Sequence, residues 1–405
     1  MRAANMILAL VLLATACGGG AAAPTTTAST TLPPTTTTTT LPPTTTTTTL
    51  PPTTTTTTLP PTTTTTTTTT LPPTTTTTTT TTTLPPTTTT TTTTTTLPPT
   101  TTTTTTTTTL PPRPPTIDEL LALDRPLNLA HAGGDQDHPH STMYAFRRAA
   151  EAGVDLLEMD VRITADGVLV VHHDADVFGT TGGEGVVAEM TVAELQALDN
   201  AWWWSPTCWP CRDLADGDYP FRGVRTGVVE PPEGFTPDDF RIETFRSVAE
   251  AFPTLALDVE IKNRDDHAEA AIAALVADLD DLDRRDSVVV VSFSSDVVAA
   301  FREVAPDVAT SPGTDEMIAW ILGGETLGDH PVVQVPPNYD GIEVLMEAFF
   351  TAVEEAGVEV WVWPDSTDQE AGDFYAELLD LGIDGIIAGR PAAFEQVLQD
   401  GGYVD

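Results

Sequence analysis

Lysine is almost missing from this sequence, since Lys262 is the single lysine among 405 residues. The chain has 17 basic residues against 58 acidic ones, and its formal net charge at pH 7 is −41. Such a charge repels the phosphates of nucleic acid and the head groups of anionic lipid, which argues against both as direct partners. An anionic substrate would need local positive charge, most simply a bound cation.

Cysteine is scarce as well, with only Cys17, Cys208 and Cys211 in the chain. The last two form a CxxC motif, which occurs in redox sites, in half zinc sites and in structural disulfides. No further cysteine is present to complete a zinc tetrad. Outside the cell, a disulfide between Cys208 and Cys211 is therefore the favoured interpretation.

Acidic residues are missing from the N-terminal part, because all 58 lie from Asp118 onward. The first 17 residues form a short apolar run behind Arg2, typical of a secretory signal and too short to span a membrane as a mature helix. Small residues before Cys17 and three glycines after it are similar to a bacterial lipobox, in which the cysteine is lipidated. We expect anchorage at the extracellular face of the cell membrane, with ordinary cleavage and secretion as the alternative.

Residues 18–116 consist almost entirely of threonine, interrupted by eight Leu-Pro-Pro units. Such a segment cannot form a core, and its prolines favour an extended polyproline-type backbone. We predict a disordered stalk. At about 3.1 Å per residue it would reach on the order of 280 Å, which lifts a domain well away from a membrane surface.

From residue 117 to residue 405, β-branched runs alternate with amphipathic helical patterns. This order predicts a parallel sheet, and the length and number of repeats suit a single (β/α)8 TIM-type barrel. Residues 202–239, rich in Trp, Gly, Pro and charge, break the rhythm and are predicted to form an insertion that serves as a lid or substrate wall. The predicted strands cover residues 127–131, 155–161, 168–173, 255–261, 287–293, 308–311, 332–335, 359–363 and 384–388.

Chemistry is concentrated between residues 156 and 174, in the run LLEMDVRITADGVLVVHHD. Glu158 and Asp160 are two residues apart, so in a strand their carboxylates leave the same face. The Asp-Gly pair at 166–167 predicts a hairpin, and the returning strand directs His173 to the opposite face from His172. His173 is the better candidate for a site. The alternative is an edge strand with solvated acids and surface histidines.

A second strand-like run, LALDVEIK, places Asp258, Glu260 and Lys262 on one face. In a barrel, these residues and the first pair of acids lie at the carboxyl ends of strands, where barrel enzymes gather their catalytic groups. Glu158, Asp160 and Glu260 together make a hard oxygen site suited to Ca²⁺ or Mg²⁺. Lys262 is a compact point charge suited to a phosphoryl oxygen, unless the single lysine survives by chance.

Two histidines complete this inventory. A cation held by the acids would neutralise a phosphodiester. His131 and His173 would then serve as general base and general acid, because imidazole titrates near neutral pH. The assignment of the two roles stays open.

These residues resemble the glycerophosphodiester phosphodiesterase family. Its pattern is His-Arg-Gly, Glu-Asn-Thr, Glu-x-Asp-Val-x-x-Thr-x-Asp-Gly, His-Asp and Glu-x-Lys. The chain has EMDVRITADG from Glu158, then HD at His173 and EIK at Glu260, with later landmarks at residues 361–363 and in LGIDGIIAGRP. The resemblance implies a barrel, a divalent metal on the three acids, His131 and His173 as the catalytic pair, and Lys262 on the substrate side. Arg162 and Trp363 are further candidate substrate contacts.

The chain also departs from the family pattern. Ala132 stands in place of the first arginine, His140 in place of the glutamate of Glu-Asn-Thr, and Ala388-Gly389 in place of a Thr-Asp near the end. Three functions therefore stay open. The first is a surface-tethered phosphodiesterase that releases an alcohol and glycerol phosphate from small, phospholipid-derived diesters. The second is a relative acting on a larger lipid head group or a wall phosphodiester. The third is a non-catalytic binding module.

Overall fold

The computed structural model of the chain describes residues 113–207 and 211–404, together with the backbone of four strands in the threonine-rich segment. The chain divides into two compact units, Met1–Pro111 and Pro112–Asp405. Cys17 and the signal-like run at the N-terminus lie outside the described residues. None of the described helices combines the length and the apolar character that a membrane crossing requires.

The second unit is built on a sheet of nine strands. The strands are β1 (Leu127–Ala130), β2 (Leu156–Ile163), β3 (Leu169–Val171), β4 (Ala256–Ile261), β5 (Val288–Val291), β6 (Ala309–Thr310), β7 (Val332–Val335), β8 (Glu359–Val362) and β9 (Gly385–Ala388). Eight of them pair in parallel in the order β6-β5-β4-β2-β1-β9-β8-β7, and β3 pairs antiparallel with β2.

Helices lie between successive parallel strands, so that each unit is a strand followed by a helix. Several helices begin at a threonine or serine whose hydroxyl accepts from a backbone N–H of the first turn, as Thr142 does from Ala145 at 3.1 Å. The helices are α1 (Ile117–Leu121), α2 (Met143–Ala152), α3 (Val192–Gln196), α4 (Phe245–Ala251), α5 (Ala268–Leu282), α6 (Ser295–Val304), α7 (Thr314–Ile321), α8 (Glu347–Ala356), α9 (Gly372–Asp380) and α10 (Pro391–Asp400).

This arrangement confirms the predicted (β/α)8 barrel. The sheet is nearly closed, because the edge strands β6 and β7 share no ladder in the described residues, although the backbone N–H of Gln334 donates to Ser311 Oγ at 3.2 Å. Period-two alternation divides each strand between two environments. On β2, Leu157, Met159 and Val161 point outward and pack with the helices, whereas the even-numbered residues point into the barrel.

The barrel interior is apolar at the amino ends of the strands. A cluster of fully buried side chains closes it, and α1 packs against the same cluster, with the backbone N–H of Ile117 donating to Asp286 O at 2.8 Å. Polar side chains begin one layer higher. The apolar cluster includes Leu127, Leu129, Leu156, Ala256, Val289, Val332, Trp361 and Ile387.

In the threonine-rich unit the described strands pair antiparallel, Thr75–Leu84 with Thr87–Thr96 and Thr67–Thr70 with Thr101–Thr104. This pairing differs from the unpaired polyproline-type backbone predicted for the segment. Threonine is β-branched and fits a pleated strand well, whereas proline cannot donate to a ladder, so strands end at the Leu-Pro-Pro units. The rest of the predicted stalk lies outside the described residues.

Candidate active site

Four acidic side chains face each other across the pair formed by β2 and β4. The parallel register places Glu158 beside Asp258 and Asp160 beside Glu260. All four point into the barrel because they occupy alternate positions of their strands. The three acids predicted from the sequence as metal ligands are therefore brought together, and they are 3–8% exposed.

The charges of these acids are incompletely compensated. Burial, reinforced by the charge of Asp160, raises the pKa of Glu158 well above its ordinary value. Burial likewise raises the pKa of Glu260, although Lys262 partly offsets it. Burial would also raise the pKa of Asp160, but Lys262 and the histidines outweigh it and the pKa is lowered. The site thus holds several carboxylates around one ammonium group and would gain from a further positive charge.

Lys262 lies among these acids, as predicted. Its Nζ is 3.1 Å from Glu260 Oε2 and 3.3 Å from Asp160 Oδ1. Burial lowers the pKa of Lys262, but the two carboxylates outweigh it and the pKa is raised. The raised pKa favours the charged ammonium form of Lys262 between these two acids.

His131 lies at the carboxyl end of β1, next to the acids of β2. A tight turn follows it, with Ala132 at φ +46° and Gly133 at +84°. This turn aims the backbone N–H of Ala132 at Glu158 Oε2, at 2.6 Å. A β-carbon on Gly133 would lie 2.9 Å from that of Ala145, so only glycine fits there. Burial lowers the pKa of His131, but the nearby carboxylates outweigh it and the pKa is raised well above its ordinary value.

His173 follows β3 and is half exposed at the mouth, whereas its neighbour His172 is fully buried. Its Nδ1 lies 2.7 Å from Asp174 Oδ1, and this bond lowers the pKa of Asp174 to about 2. His173 and His131 are both close enough to Asp160 to lower the pKa of that acid. The two histidines and the acids therefore share one site.

Arg162, predicted as a substrate contact, contacts the segment that carries His173. Its contact with substrate stays a prediction. Its Nε donates to the backbone oxygen of His173 at 2.9 Å, which fixes the segment carrying that histidine. This bond uses one guanidinium nitrogen, and it forms because Arg162 lies on β2, the strand that pairs with β3.

Trp363 lies at the end of β8, with its ring 6.0 Å from that of Phe293. The side chains of Lys262 and Arg264 lie over the ring of Phe293. Trp363 and Phe293 form an aromatic wall beside the lysine.

The insertion packs over the loops that carry both histidines. Trp204 Nε1 donates to Asp135 O at 3.0 Å, in the His131 loop, and Trp203 Nε1 donates to Thr181 O at 2.7 Å, in the loop after His173. Arg212 lies 3.5 Å above the ring of Phe178 in that second loop. The described part of the insertion thus packs against both of these loops, and its role as a lid or substrate wall stays a prediction. Cys211 is disulfide-bonded, and Cys208, its predicted partner, lies outside the described residues.

The cluster of acids implies a bound divalent cation. Whether the cluster suits such a cation can be judged from the oxygen ligands that it offers. In the described part of the chain, no three His, Cys, Asp or Glu side chains have the geometry of a metal site. The chemistry of the set nevertheless suits a hard cation, because three buried carboxylates supply oxygen ligands and an uncompensated negative charge. Glu158, Asp160 and Glu260 are the residues that would hold it.

Two further polar residues lie beside the predicted acids: Asp258, which the sequence placed on the face of Glu260, and Gln334, which was not predicted. Asp258 lies one layer below Glu260, and both of its oxygens accept from Gln334 Nε2 at 2.9 Å. Burial raises the pKa of Asp258 to about 7. Asp258 shares the strand face of Glu260, so alternation alone indicated its position, whereas Gln334 reaches it across the barrel from β7.

Comparison with known proteins identifies the group to which this site belongs. Residues 131–393, more than half of the chain, match the model of the glycerophosphoryl diester phosphodiesterase family. The chain belongs to this family. It is accordingly a phosphoric diester hydrolase, and the matched range contains every predicted site residue of the barrel.

Individual family members are similar at moderate identity. A Mycobacterium tuberculosis protein named "Probable glycerophosphodiester phosphodiesterase 2" is 28% identical over 295 residues, 70% of this chain and 94% of its own. The YhdW protein of Bacillus subtilis is 25% identical over 278 residues, 67% of this chain and 97% of its own. A Caldanaerobacter subterraneus glycerophosphodiester phosphodiesterase is 48% identical, but over only 73 residues, 18% of this chain and 30% of that protein.

Solved structures of the family share the fold. An Oleispira antarctica phosphodiesterase in complex with the product sn-glycerol-3-phosphate gives a TM-score of 0.52 at 19% identity, covering 68% of this chain and 97% of that one. The glycerophosphoryl diester phosphodiesterase domain of a Mycobacterium tuberculosis protein gives 0.51 at 20% identity, covering 67% and 99%. At these identities the likeness concerns the barrel alone.

Proposed function

We propose that the chain is a metal-dependent glycerophosphodiester phosphodiesterase held at the outer face of the cell membrane. It converts a glycerophosphodiester and water into an alcohol and glycerol phosphate. The observation that carries the proposal is the meeting of three buried carboxylates, Lys262 and two histidines at one mouth of the barrel.

Each group has a role that its position suggests. Glu158, Asp160 and Glu260 would hold a divalent cation, Ca²⁺ or Mg²⁺, which when bound would neutralise charge on a phosphodiester. Lys262 reaches the same space and presents one ammonium group to a phosphoryl oxygen.

Proton transfer falls to the two histidines. The carboxylates near His131 raise its pKa and so favour its protonated form, which suits donation of a proton to the leaving oxygen. His173, held through its backbone by Arg162 and through Nδ1 by Asp174, accepts a proton from the attacking oxygen.

Position 132 limits how the phosphate is held. Ala132 is buried and offers only its backbone N–H, which already donates to Glu158. Recognition of the anion therefore falls on Lys262 and on the cation, and substrate binding is weak without either of them. The aromatic wall of Trp363 and Phe293 covers the apolar side of the substrate.

The test is direct. The full chain is incubated with small glycerophosphodiesters and with larger lipid and wall phosphodiesters, with and without Ca²⁺ or Mg²⁺, and the products are identified. Release of glycerol phosphate only with a cation, and its loss in His131→Ala and His173→Ala, supports the proposal. Cation-independent turnover contradicts it, preference for the larger diesters favours the second function, and inactivity on all favours a binding module.

The tether is proposed from the sequence, on Cys17 and the threonine-rich segment behind it. In the producing cell, Cys17→Ala should move the protein from the membrane fraction to the medium without changing its specific activity. Equal membrane association of both forms would contradict a lipid anchor at this residue.

A further inference from the structure

A carboxylate outside the family motifs lies against one of the catalytic histidines. Asp135 follows His131 by four residues, and its Oδ1 is 3.4 Å from His131 Nδ1. The side chain is 13% exposed, and its Oδ2 accepts from Gln136 Nε2 at 3.1 Å. Oδ1 is buried and makes no hydrogen bond to any residue between 113 and 404 that the structure describes. The imidazole nitrogen is therefore the donor placed to satisfy it.

The backbone around Asp135 is fixed from several sides. The backbone N–H of Asp135 donates to His131 O at 3.2 Å, and the backbone oxygen of Asp135 accepts from Trp204 Nε1 at 3.0 Å. The next residue, Gln136, donates its backbone N–H to Gly389 O at 3.1 Å. The first loop, the insertion and the loop after β9 thus all hold the same short segment. A carboxylate held this firmly can define the orientation of its neighbour.

Space for this carboxylate depends on Gly389. A β-carbon there would lie 2.5 Å from Asp135 Oδ1 and 2.7 Å from Glu370 Oε1, so no larger residue fits while both acids keep their places. Gly389 is also where the family pattern has the aspartate of a Thr-Asp pair. In this chain, the carboxylate of Asp135 occupies the space that a side chain at position 389 would enter.

We propose that Asp135 is the positioning residue of His131, holding its Nδ1 protonated so that Nε2 faces the substrate. The inference rests on the proposed function, because it assumes that His131 transfers the proton. A carboxylate at Nδ1 selects one tautomer and orients the ring, as in other His-carboxylate pairs. The 3.4 Å separation is of the kind that tightens when substrate binds.

The test uses the full chain with one isosteric variant and one matched control. Asp135→Asn keeps the shape of the side chain but loses the charge, and its amide can turn a donor toward Nδ1. We expect kcat to fall about 10–100-fold with little change in KM. Asp137→Asn removes a carboxylate of the same loop that lies 3.9 Å from Arg390 instead, and should leave kcat near the wild-type value.

Nitrogen-15 NMR of the histidine side chains gives the second readout, assigned to His131 through its loss in His131→Ala. At a pH high enough to leave the ring neutral, the wild-type spectrum should show the proton of His131 on Nδ1, and Asp135→Asn should shift it toward Nε2. An Nε2–H tautomer in the wild-type protein overturns the proposal whatever the variants do. A lower kcat with an unchanged tautomer overturns it as well, as does equal loss in Asp137→Asn.

The two readouts also separate this inference from the function on which it rests. If His131→Ala keeps its turnover, the proton-transfer role of His131 is wrong. The tautomer measured with and without the Asp135 carboxylate still decides whether that acid positions the ring.

Discussion

The two ends of the same barrel strands have opposite chemistry. On β2, Leu156 at the base is fully buried among apolar side chains, whereas Glu158 and Asp160, one and two layers higher, face other acids. On β4, Ala256 at the base gives way to Asp258 and Glu260 in the same register. The strand geometry is identical at both ends, so the contrast comes from side chains alone. The base supplies stability and the mouth stores unfavourable charge for use in binding and catalysis.

Removing one charge at the mouth should have the largest effect. Asp160→Asn is expected to lower kcat/KM about 10²–10³-fold, because both histidines and Lys262 are arranged around that charge. The folded protein should also be less stable at neutral pH, because the pKa of Asp160 is lowered and its charge pairs with Lys262 at 3.3 Å. Steady-state kinetics measure the change in kcat/KM, and urea unfolding measures the change in stability. Asp258→Asn, one layer lower, is the matched control and should cost far less activity; equal losses would abolish the distinction between layers.

At the base, a substitution should cost stability and leave turnover unchanged. Leu156→Ala should lower the free energy of unfolding by about 2–5 kcal/mol, because it leaves a cavity in a fully buried cluster. Turnover per folded molecule should stay close to the wild-type value. Urea unfolding and active-site-normalised kinetics measure this. A variant that keeps its stability but loses turnover would show that the base also shapes the site.

A buried acid beside the mouth should make stability depend on pH. Burial raises the pKa of Glu370 to about 7 from its ordinary 4.5, although Tyr375 and the N–H of Gly389 donate to it. Between these values the folded chain binds a proton that the unfolded chain does not. The stabilisation is therefore complete below pH 4.5 and is lost as the pH rises through 7.

Glu370→Gln should remove this dependence and stabilise the protein at pH 8 by about 1–3 kcal/mol relative to wild type. Unfolding by urea at several pH values measures the effect. Glu395→Gln, at a half-buried carboxylate of α10 that accepts from Asn128 Nδ2 at 3.3 Å, is a comparison in which no gain is expected. An unchanged pH profile in Glu370→Gln would mean that this carboxyl titrates at its ordinary value.

The smallest effect is expected at Lys262, which the structure places between two acids of the site. Lys262→Ala should lower catalytic efficiency at least about tenfold, equivalent to about 1.4 kcal/mol. Lys262→Arg keeps the charge in a larger planar group and should recover part of the loss. Full activity in Lys262→Ala would move phosphate recognition elsewhere and favour a substrate other than a simple glycerophosphodiester.

Local patterns predicted the barrel and the main acids, because alternation along LLEMDV and LALDVEIK fixes which side chains share a face. The separation of His173 from His172 followed from the same rule. Contacts between distant loops were beyond that reasoning. Three such contacts depend on how the barrel closes, which no local period encodes. They are the hydrogen bonds from Gln334 to Asp258, from Trp204 to the Asp135 backbone and from Arg162 to the His173 backbone.

Because Lys262 is the single lysine of the chain, a label on the lysine side chain reports on the mouth of the barrel alone. Reductive methylation with ¹³C-formaldehyde keeps the charge of an amine and adds methyl carbons. In this chain it produces one side-chain dimethylammonium resonance, apart from that of any free α-amino group. Because the ammonium lies against Asp160 and Glu260, a divalent ion that takes over these carboxylates shifts a single, already assigned signal. The site thus carries a built-in spectroscopic reporter of its own occupancy.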